Sequence, residues 1–160
     1  MTLGVQGVGG VKVQPAWNGG GTVRLVIQDS HRGVPSALLV SQVQEAVNEL
    51  APIGHSVTVV PAVGFVINVS AQFILVSGLQ FSDIKSELED IVGEYLHETA
   101  CNWDKSDGLV VRASYIEARL LNHSGIVDIA NLSLNGGVSG RNITLSDMQI
   151  PVRGAVINVS

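Results

Sequence analysis

Two stretches with helical hydrophobic spacing lie among short β-like segments, and this alternation constrains the fold more than any other feature of the chain. Their apolar faces are Leu39, Val43, Ala46, Val47 and Leu50 in the first stretch and Ile84, Leu88, Ile91, Val92 and Tyr95 in the second. An amphipathic helix needs a sheet or another helix to cover its apolar face. The chain is therefore predicted to be α+β, with helices packed on small, mostly antiparallel sheets in two small subdomains.

The first subdomain is predicted to span residues 1–62 in the order β-β-α-β. Two β segments flank the glycine-rich turn Trp17–Gly21. The helix is expected to open with Pro35 near its first turn and Ser36 as its cap. Val57–Val60 is predicted to be the last strand of this subdomain.

The second subdomain is predicted to span residues 63–160 in the order β-α-α-β-β-β. It begins with the alternating strand Phe65–Val76, and Ser82 is expected to cap the longer helix. A shorter helix is expected at about residues 114–122, with Gly125 in the C′ position that ends it. The closing strands are predicted at Ile126–Leu134, Asn142–Leu145 and Val152–Val159.

Short sequence patterns that occur more than once favour a chain that begins part-way through a structural unit. A helix followed by glycine and a strand occurs at Gly54 and again at Gly125. Gly7–Val11 resembles the glycine and strand of this pattern without the preceding helix. We therefore expect Met1 to be an artificial or displaced start.

Charged residues make up only 14% of the chain, against roughly 25% in ordinary soluble domains. Two interpretations remain open: partners cover some of the surface, or neutral Ser, Asn, Gln and Thr replace charge on it. The net charge is −5, and the nine Lys and Arg residues are scattered. Without a basic footprint, binding to nucleic acid or to an anionic membrane surface is not expected.

Insertion into a membrane is not expected either. The most apolar stretch, Val57–Val69, is too short to span a bilayer and contains Pro61 and Gly64. The start of the chain has neither the basic nor the apolar region of a signal peptide. Cys101 is the single cysteine, which excludes an internal disulfide framework, and folding in the cytoplasm is expected.

Each candidate for metal or phosphate chemistry lacks essential partners. Glu94-x-x-His97 matches one half of a di-iron carboxylate pattern, but no second copy exists. His97 and Cys101 lie one helical turn apart, yet a structural zinc ion needs four ligands. Gly19–Thr22 precedes a strand and contains no lysine, unlike a phosphate-binding loop. No metal ion or other cofactor is predicted.

Catalytic residues are not predicted, and the chain is not expected to be an enzyme. His31, His55 and His123 lie near serines, but no nucleophile elbow accompanies them. The second helix carries an acidic surface, which is expected to be solvated rather than arranged for glycoside hydrolysis. Its members are Asp83, Glu87, Glu89, Asp90 and Glu94. Chance is expected to account for the five N-x-[ST] sequons, at Asn68, Asn122, Asn131, Asn142 and Asn158.

Trp17 and Trp103 are the candidate interface residues. Both lie in predicted loops, and aromatic rings anchor many protein–protein contacts. The alternative is that each ring plugs a loop from the inside. The sequence leaves both interpretations open.

A series of short motifs runs in a fixed order over almost the whole chain. Its members are Gly7–Val13, Gly21–Ile27, Pro35-Ser36, Gly54–Val59, Asn68–Ala71, Val111–Ile116, Gly125–Asp128, Leu132–Gly136, Asn142–Leu145 and Ile150–Val152. In order and spacing, the series resembles the C-terminal part of the baseplate J-like proteins of contractile phage tails and related prophage particles. The resemblance implies a structural wedge protein of the virion tail baseplate, without catalytic residues. It also implies contacts with other baseplate and tail proteins, self-association, and a part in tail assembly and host-triggered contraction.

Two other functions compete with that expectation. A carbohydrate- or cell-surface-binding tail module would stack Trp17 and Trp103 on sugars, although long amphipathic helices suit a lectin poorly. A small hydrolase or metal enzyme would need the scattered histidines or carboxylates to converge in space.

Overall fold

The computed structural model describes residues 4–159, which form eight strands, three α-helices and a 3-10 helix at Trp103–Lys105. In chain order the elements are β1 (Val8–Pro15), β2 (Thr22–Asp29), α1 (Ala37–Leu50), β3 (Ser56–Pro61), β4 (Val63–Leu75), α2 (Phe81–Ala100), β5 (Val110–Val111), α3 (Ala113–Leu121), β6 (Ile126–Leu134), β7 (Ile143–Thr144) and β8 (Gln149–Asn158). This is the predicted α+β class with two small subdomains. Met1, taken above as a displaced start, lies outside the described residues.

Sheet 1 belongs to the first subdomain and has the order β1-β2-β3. The β1–β2 pair is antiparallel, whereas β2 and β3 are parallel and are joined through α1, because parallel neighbours need a crossover connection. The helix covers one face of the sheet. The buried residues of this small core are Leu25, Ile27, Leu39, Val43, Val47 and Val59.

Sheet 2 belongs to the second subdomain and has the order β6-β4-β8, with β6 antiparallel and β8 parallel to β4. Helices α2 and α3 pack on one face. The predicted alternation of β4 is confirmed, since Ile67, Val69, Ala71 and Phe73 are buried, while Phe65 is only partly buried. With the small β5–β7 pair, three of the five strand pairings among the described residues are antiparallel.

The starts of the two long helices agree with the sequence only in part. Ser36 caps α1 as predicted, because its Oγ accepts a hydrogen bond from the Leu39 N–H at 3.2 Å, but Pro35 lies before the cap. The prediction for Ser82 is wrong, because α2 begins at Phe81 with Gln80 as its N-cap. The Gln80 N–H donates to Asp83 Oδ2 at 3.0 Å, so an acidic side chain three residues on fixes this helix start.

The second subdomain contains one strand that was not predicted and one glycine with a different role. The two-residue strand β5 pairs with β7 and changes the order to β-α-β-α-β-β-β. Gly125 is not the C′ residue of α3, whose C-cap is Asn122. A Cβ at Gly125 would lie 2.5 Å from Leu79 Cδ2, so close packing explains this glycine.

The two subdomains join without a linker. Sheet 1 ends at Pro61, sheet 2 begins at Val63, and only the buried Ala62 stands between them. The Ala62 N–H donates to the Ile27 carbonyl and the Val63 N–H to the Met148 carbonyl, both at 2.8 Å. The backbone therefore passes from one sheet to the other within one residue.

Candidate functional site

The second face of sheet 1 packs against the second subdomain along a row that crosses all three strands. Lys12 of β1 pairs in register with Val26 of β2, which pairs with Val60 of β3. Val26 is fully buried in the core of the second subdomain, and Val60 and Ala62 belong to the same packing. Lys12 is also buried, so a charge lies in line with apolar side chains.

Asp147, in the segment before β8, accepts the buried ammonium group of Lys12. The Lys12 Nζ donates to Asp147 Oδ1 and to the Asp147 carbonyl oxygen, both at 2.7 Å, and Gln14 Nε2 donates to Oδ2 at 2.9 Å. The hydrogen bond from Lys12 is the main reason that the pKa of Asp147 lies below its usual value, and partial burial opposes it. Asp147 therefore carries its negative charge next to the ammonium at neutral pH.

Trp103 is part of the same cluster. Its indole Nε1 donates to the Asp147 carbonyl oxygen at 3.1 Å, and the Lys12 Nζ lies 4.8 Å from the centroid of its ring. The side chain is fully buried. In this structure the Trp103 ring plugs the joint between the subdomains, which agrees with the loop-plug interpretation. Its role as an interface residue stays a prediction.

Trp17 lies in the turn between β1 and β2 and is 42% exposed. The Arg24 guanidinium stands 4.9 Å from its ring centroid. The turn is held from within, because Thr22 Oγ1 donates to the Gly19 carbonyl at 2.6 Å and accepts from the Asn18 N–H at 3.1 Å. Of the two tryptophans, Trp17 alone presents its ring at the surface.

An apolar groove of about 230 Å³ opens where α1 ends above sheet 1. Its lining includes Val13 and Leu50, both well exposed, and Ile53 beyond the helix end is fully exposed. Exposed apolar side chains in one area mark a surface that other proteins can cover. Because Val13 belongs to a strand edge and Leu50 to the last turn of α1, this groove combines two elements.

Three of the acidic residues of α2 line an open groove of about 590 Å³. The lining residues are Asp90, Gly93, Glu94, His97, Glu98 and Arg153. Arg153 Nη1 donates to Asp90 Oδ1 at 2.6 Å. The hydrogen bond between Glu98 and Arg119 lowers the pKa of the Glu98 carboxyl group and raises the pKa of the Arg119 guanidinium. Within residues 4–159 no three potential metal-binding side chains converge.

The three loop histidines do not form a catalytic group. His31 follows the end of β2 and His55 precedes the start of the parallel strand β3, so they lie at opposite ends of sheet 1, about 23 Å apart along a strand. His123 belongs to the second subdomain, where Nε2 contacts Glu87 Oε2 at 2.7 Å and Nδ1 accepts from the Gly125 N–H at 3.0 Å. The imidazole thus links α2 to the turn after α3.

Two asparagines of the N-x-[ST] sequences, Asn68 and Asn158, accept backbone hydrogen bonds with their side-chain amides. Asn68 Oδ1 accepts the Ala155 N–H at 2.9 Å in sheet 2. Asn158 Oδ1 accepts the Phe73 N–H at 3.2 Å in the same sheet. Asn68 does this at the irregularity between Ile67 and Val69 in the ladder of β4 and β8. Asn158 does it at the end of that ladder, where it is the last paired residue of β8.

Gln44 has a related role that sequence reasoning missed. Its Nε2 donates to the Val57 carbonyl and its Oε1 accepts the Val59 N–H, both at 2.8 Å. The amide therefore pairs with the outer edge of β3 as a neighbouring strand would. An exposed strand edge invites pairing with other chains, and Gln44 occupies it.

No helix in the described part of the chain combines the length and the apolarity that crossing a membrane requires.

Two family models match successive parts of the chain. The Baseplate J-like central domain matches residues 1–61 and the Baseplate J-like protein C-terminal domain matches residues 67–158. Among curated proteins, the chain is 31% identical over 159 residues to the phage-like element PBSX protein XkdT of Bacillus subtilis (strain 168) and 32% identical over 159 residues to YqbT of the same strain. Each alignment covers 95% of this chain and 44% of the relative, so the chain spans less than half the length of these relatives.

A solved structure shares the fold at low sequence identity. A chain in the cryo-EM structure of the anti-feeding prophage (AFP) baseplate superposes with a TM-score of 0.51 at 11% identity. The similarity covers 85% of this chain and 29% of that chain. The fold of most of this chain thus also occurs within a larger chain.

Proposed function

The chain belongs to the baseplate J-like family, and from that premise we propose that it is a structural part of the baseplate of a contractile phage or prophage tail. The carrying observation is that the central-domain and C-terminal-domain matches follow one another along almost the whole chain. The fold likeness to a chain of a baseplate assembly supports the proposal. The chain works through protein–protein contacts in tail assembly and in host-triggered contraction, and it carries out no catalysis.

Two of the four edge strands of sheets 1 and 2, β3 and β8, are contacted by helix side chains, which favours contacts through faces of the molecule. Gln44 occupies the edge of β3, and in β8 the Val156 N–H donates to Glu89 Oε1 of α2 at 3.3 Å. The apolar groove beside Leu50 and the exposed ring of Trp17 remain available to other baseplate proteins. Contacts between copies of the chain use the same kind of surface, and nucleic acid is not a partner because the chain is acidic.

We also propose that the subdomains divide between residues 62 and 63. The matched ranges end at residue 61 and resume at residue 67, which supports a division in this interval. The backbone hydrogen bonds of Ala62 and Val63 point into sheet 1 and toward Met148 respectively. In the cell, the chain folds in the host cytoplasm before it joins the virion tail.

Co-purification tests the proposed function. The tagged chain is co-expressed with the sheath, hub and spike proteins of the phage or prophage that encodes it, and captured proteins are quantified by mass spectrometry. We expect at least one of these proteins to be captured in stoichiometric amounts. Leu50→Glu, which places a charge in the apolar groove, should reduce capture at least about tenfold, because an unpaired charge is costly to bury.

Leu38→Glu is the matched control, because Leu38 is an exposed leucine at the other end of the same helix. It should leave capture unchanged. Absence of any captured tail protein with the unmodified chain would overturn the proposal. Binding to a glycan array that disappears with Trp17→Ala would instead favour a carbohydrate-binding module, since Trp17 is the exposed tryptophan.

A further inference from the structure

The contact between the subdomains changes in character from β3 to β1. Beside the junction, Val60 and Ala62 pack in the apolar core of the second subdomain. One strand further, Val26 is buried in the same core. This side of the interface is apolar and directly continuous with the backbone connection between the sheets.

The far side of the interface combines polar contacts with the buried ring of Trp103. On β2, Gln28 is fully buried and its Nε2 donates to the Ala100 carbonyl at the end of α2 at 2.9 Å. On β1, the strand farthest from the junction, the contacts are those that Lys12 and Gln14 make with Asp147. Apolar packing near the connection thus gives way to an ion pair at the free edge.

We propose that sheet 1 is hinged on the second subdomain at Pro61–Val63 and that the Lys12–Asp147 ion pair is the latch that holds it closed. Opening moves β1 the most and β3 the least, because β3 is tied to β4 by a single residue. The device belongs to the chain itself and does not depend on what the chain assembles with.

The chemistry at each edge suits its role. An apolar contact that opens must expose its surface to water, whereas an ion pair that opens regains hydration for both charges. The Asp147 side chain is already 44% exposed, and that of Lys12 is 8% exposed. Buried ion pairs contribute little net stability but define one arrangement, and polar interfaces between domains permit relative motion. The latch is therefore specific when closed. Its opening exposes the Trp103 ring, which keeps the open form a minor population in the unmodified chain.

Distances between spin labels on the two subdomains test the latch. Labels are placed on cysteines introduced at the exposed residues Ser41 of α1 and Ser86 of α2, in a Cys101→Ser background, and are measured by pulsed electron paramagnetic resonance. The unmodified pair should give one narrow distance distribution. Lys12→Glu, which sets two carboxylates face to face, should add a longer distance and raise its population at least about tenfold.

Arg153→Glu is the control, because it breaks the ion pair with Asp90 inside the second subdomain. It should leave the distribution narrow. The charge-exchanged double variant, Lys12→Asp with Asp147→Lys, should restore the short distance. If Lys12→Glu does not fold, as judged by circular dichroism, Asp147→Asn is measured instead. Its longer-distance population should rise by a smaller factor, up to about fivefold, because the Asp147 side chain is partly exposed. A narrow, unchanged distribution in the folded variant would overturn the proposal.

Discussion

The two faces of sheet 1 come from alternating residues of the same three strands, yet they pack in different ways. Toward α1, Leu25, Ile27 and Val59 meet apolar side chains of the helix. Toward the second subdomain, Lys12 and Gln28 are buried beside Val26. Apolar packing is non-directional, whereas hydrogen bonds and ion pairs depend on direction. The first face therefore determines that the subdomain folds, and the second determines how it is placed on its neighbour.

Removing the apolar packing on the α1 side should have the largest effect on stability. Ile27→Ala empties a fully buried site, and we expect it to lower the free energy of unfolding by about 2–5 kcal/mol. Urea denaturation followed by circular dichroism measures the loss. Val13→Ala is the control, because Val13 pairs with Leu25 on the same face but is exposed, and its cost should stay within about 0.5 kcal/mol. Equal losses for the two variants would show that burial against α1 is not what stabilises this subdomain.

Removing the hydrogen bonds of Gln28 on the opposite face should lower the free energy of unfolding by a smaller amount. Gln28→Ala deletes the donor to the Ala100 and Arg32 carbonyls, both at 2.9 Å. Carbonyl groups left without a partner at a buried joint should cost about 1–3 kcal/mol. Gln42→Ala, at an exposed glutamine of α1, should be neutral in the same denaturation experiment. A loss for Gln28→Ala no larger than that of Gln42→Ala would show that these hydrogen bonds do not hold the faces together.

Acid should have the smallest effect and should act on the Lys12–Asp147 pair. Because the folded pKa of Asp147 is lowered, its contribution is fully present above the unfolded value of about 3.9 and is lost as the pH falls through the folded pKa. The charged and polar groups that face the carboxylate or line the same cavity are Lys12, Gln14, Arg24, Asp104, Lys105, Ser106 and Asp107.

The measurement is the free energy of unfolding of the unmodified chain and of Asp147→Asn between pH 7 and pH 3. The stability difference between them should be below about 1 kcal/mol at pH 7, because Asp147 is partly solvated. The difference should shrink below pH 4. A difference that stays constant throughout this range would show that ionisation of Asp147 does not stabilise the closed arrangement.

The α1 face could be predicted from the sequence, whereas the second face could not. Helical spacing identifies Leu39, Val43 and Val47 because a local period reveals which side of a helix is buried. Lys12, in contrast, lies between two valines in an alternating strand, a pattern that places a lysine in solvent. Its partner Asp147 is 135 residues away along the chain. No local pattern records such a pair.

Trp103 and β5 were missed or left open for similar reasons. A tryptophan in a polar loop has the same local sequence whether its ring faces solvent or fills a joint, and only the contact with Asp147 decides this. The strand β5 has two residues, which is too short to show alternation. Elements whose burial follows a local sequence pattern can therefore be predicted from the sequence. Features that depend on contacts between residues far apart in the chain cannot.

The arrangement of sheet 2 has a consequence for how the chain acquires its structure during synthesis. The central strand β4 ends at Leu75, but its parallel neighbour β8 begins only at Gln149. At a ribosomal rate of about 5–20 residues per second, β4 is complete for several seconds before β8 exists to pair with it. Pairing over such a separation is intrinsically slow. For that interval the apolar side chains of β4 depend on α2, which follows directly, to shield them from neighbouring nascent chains.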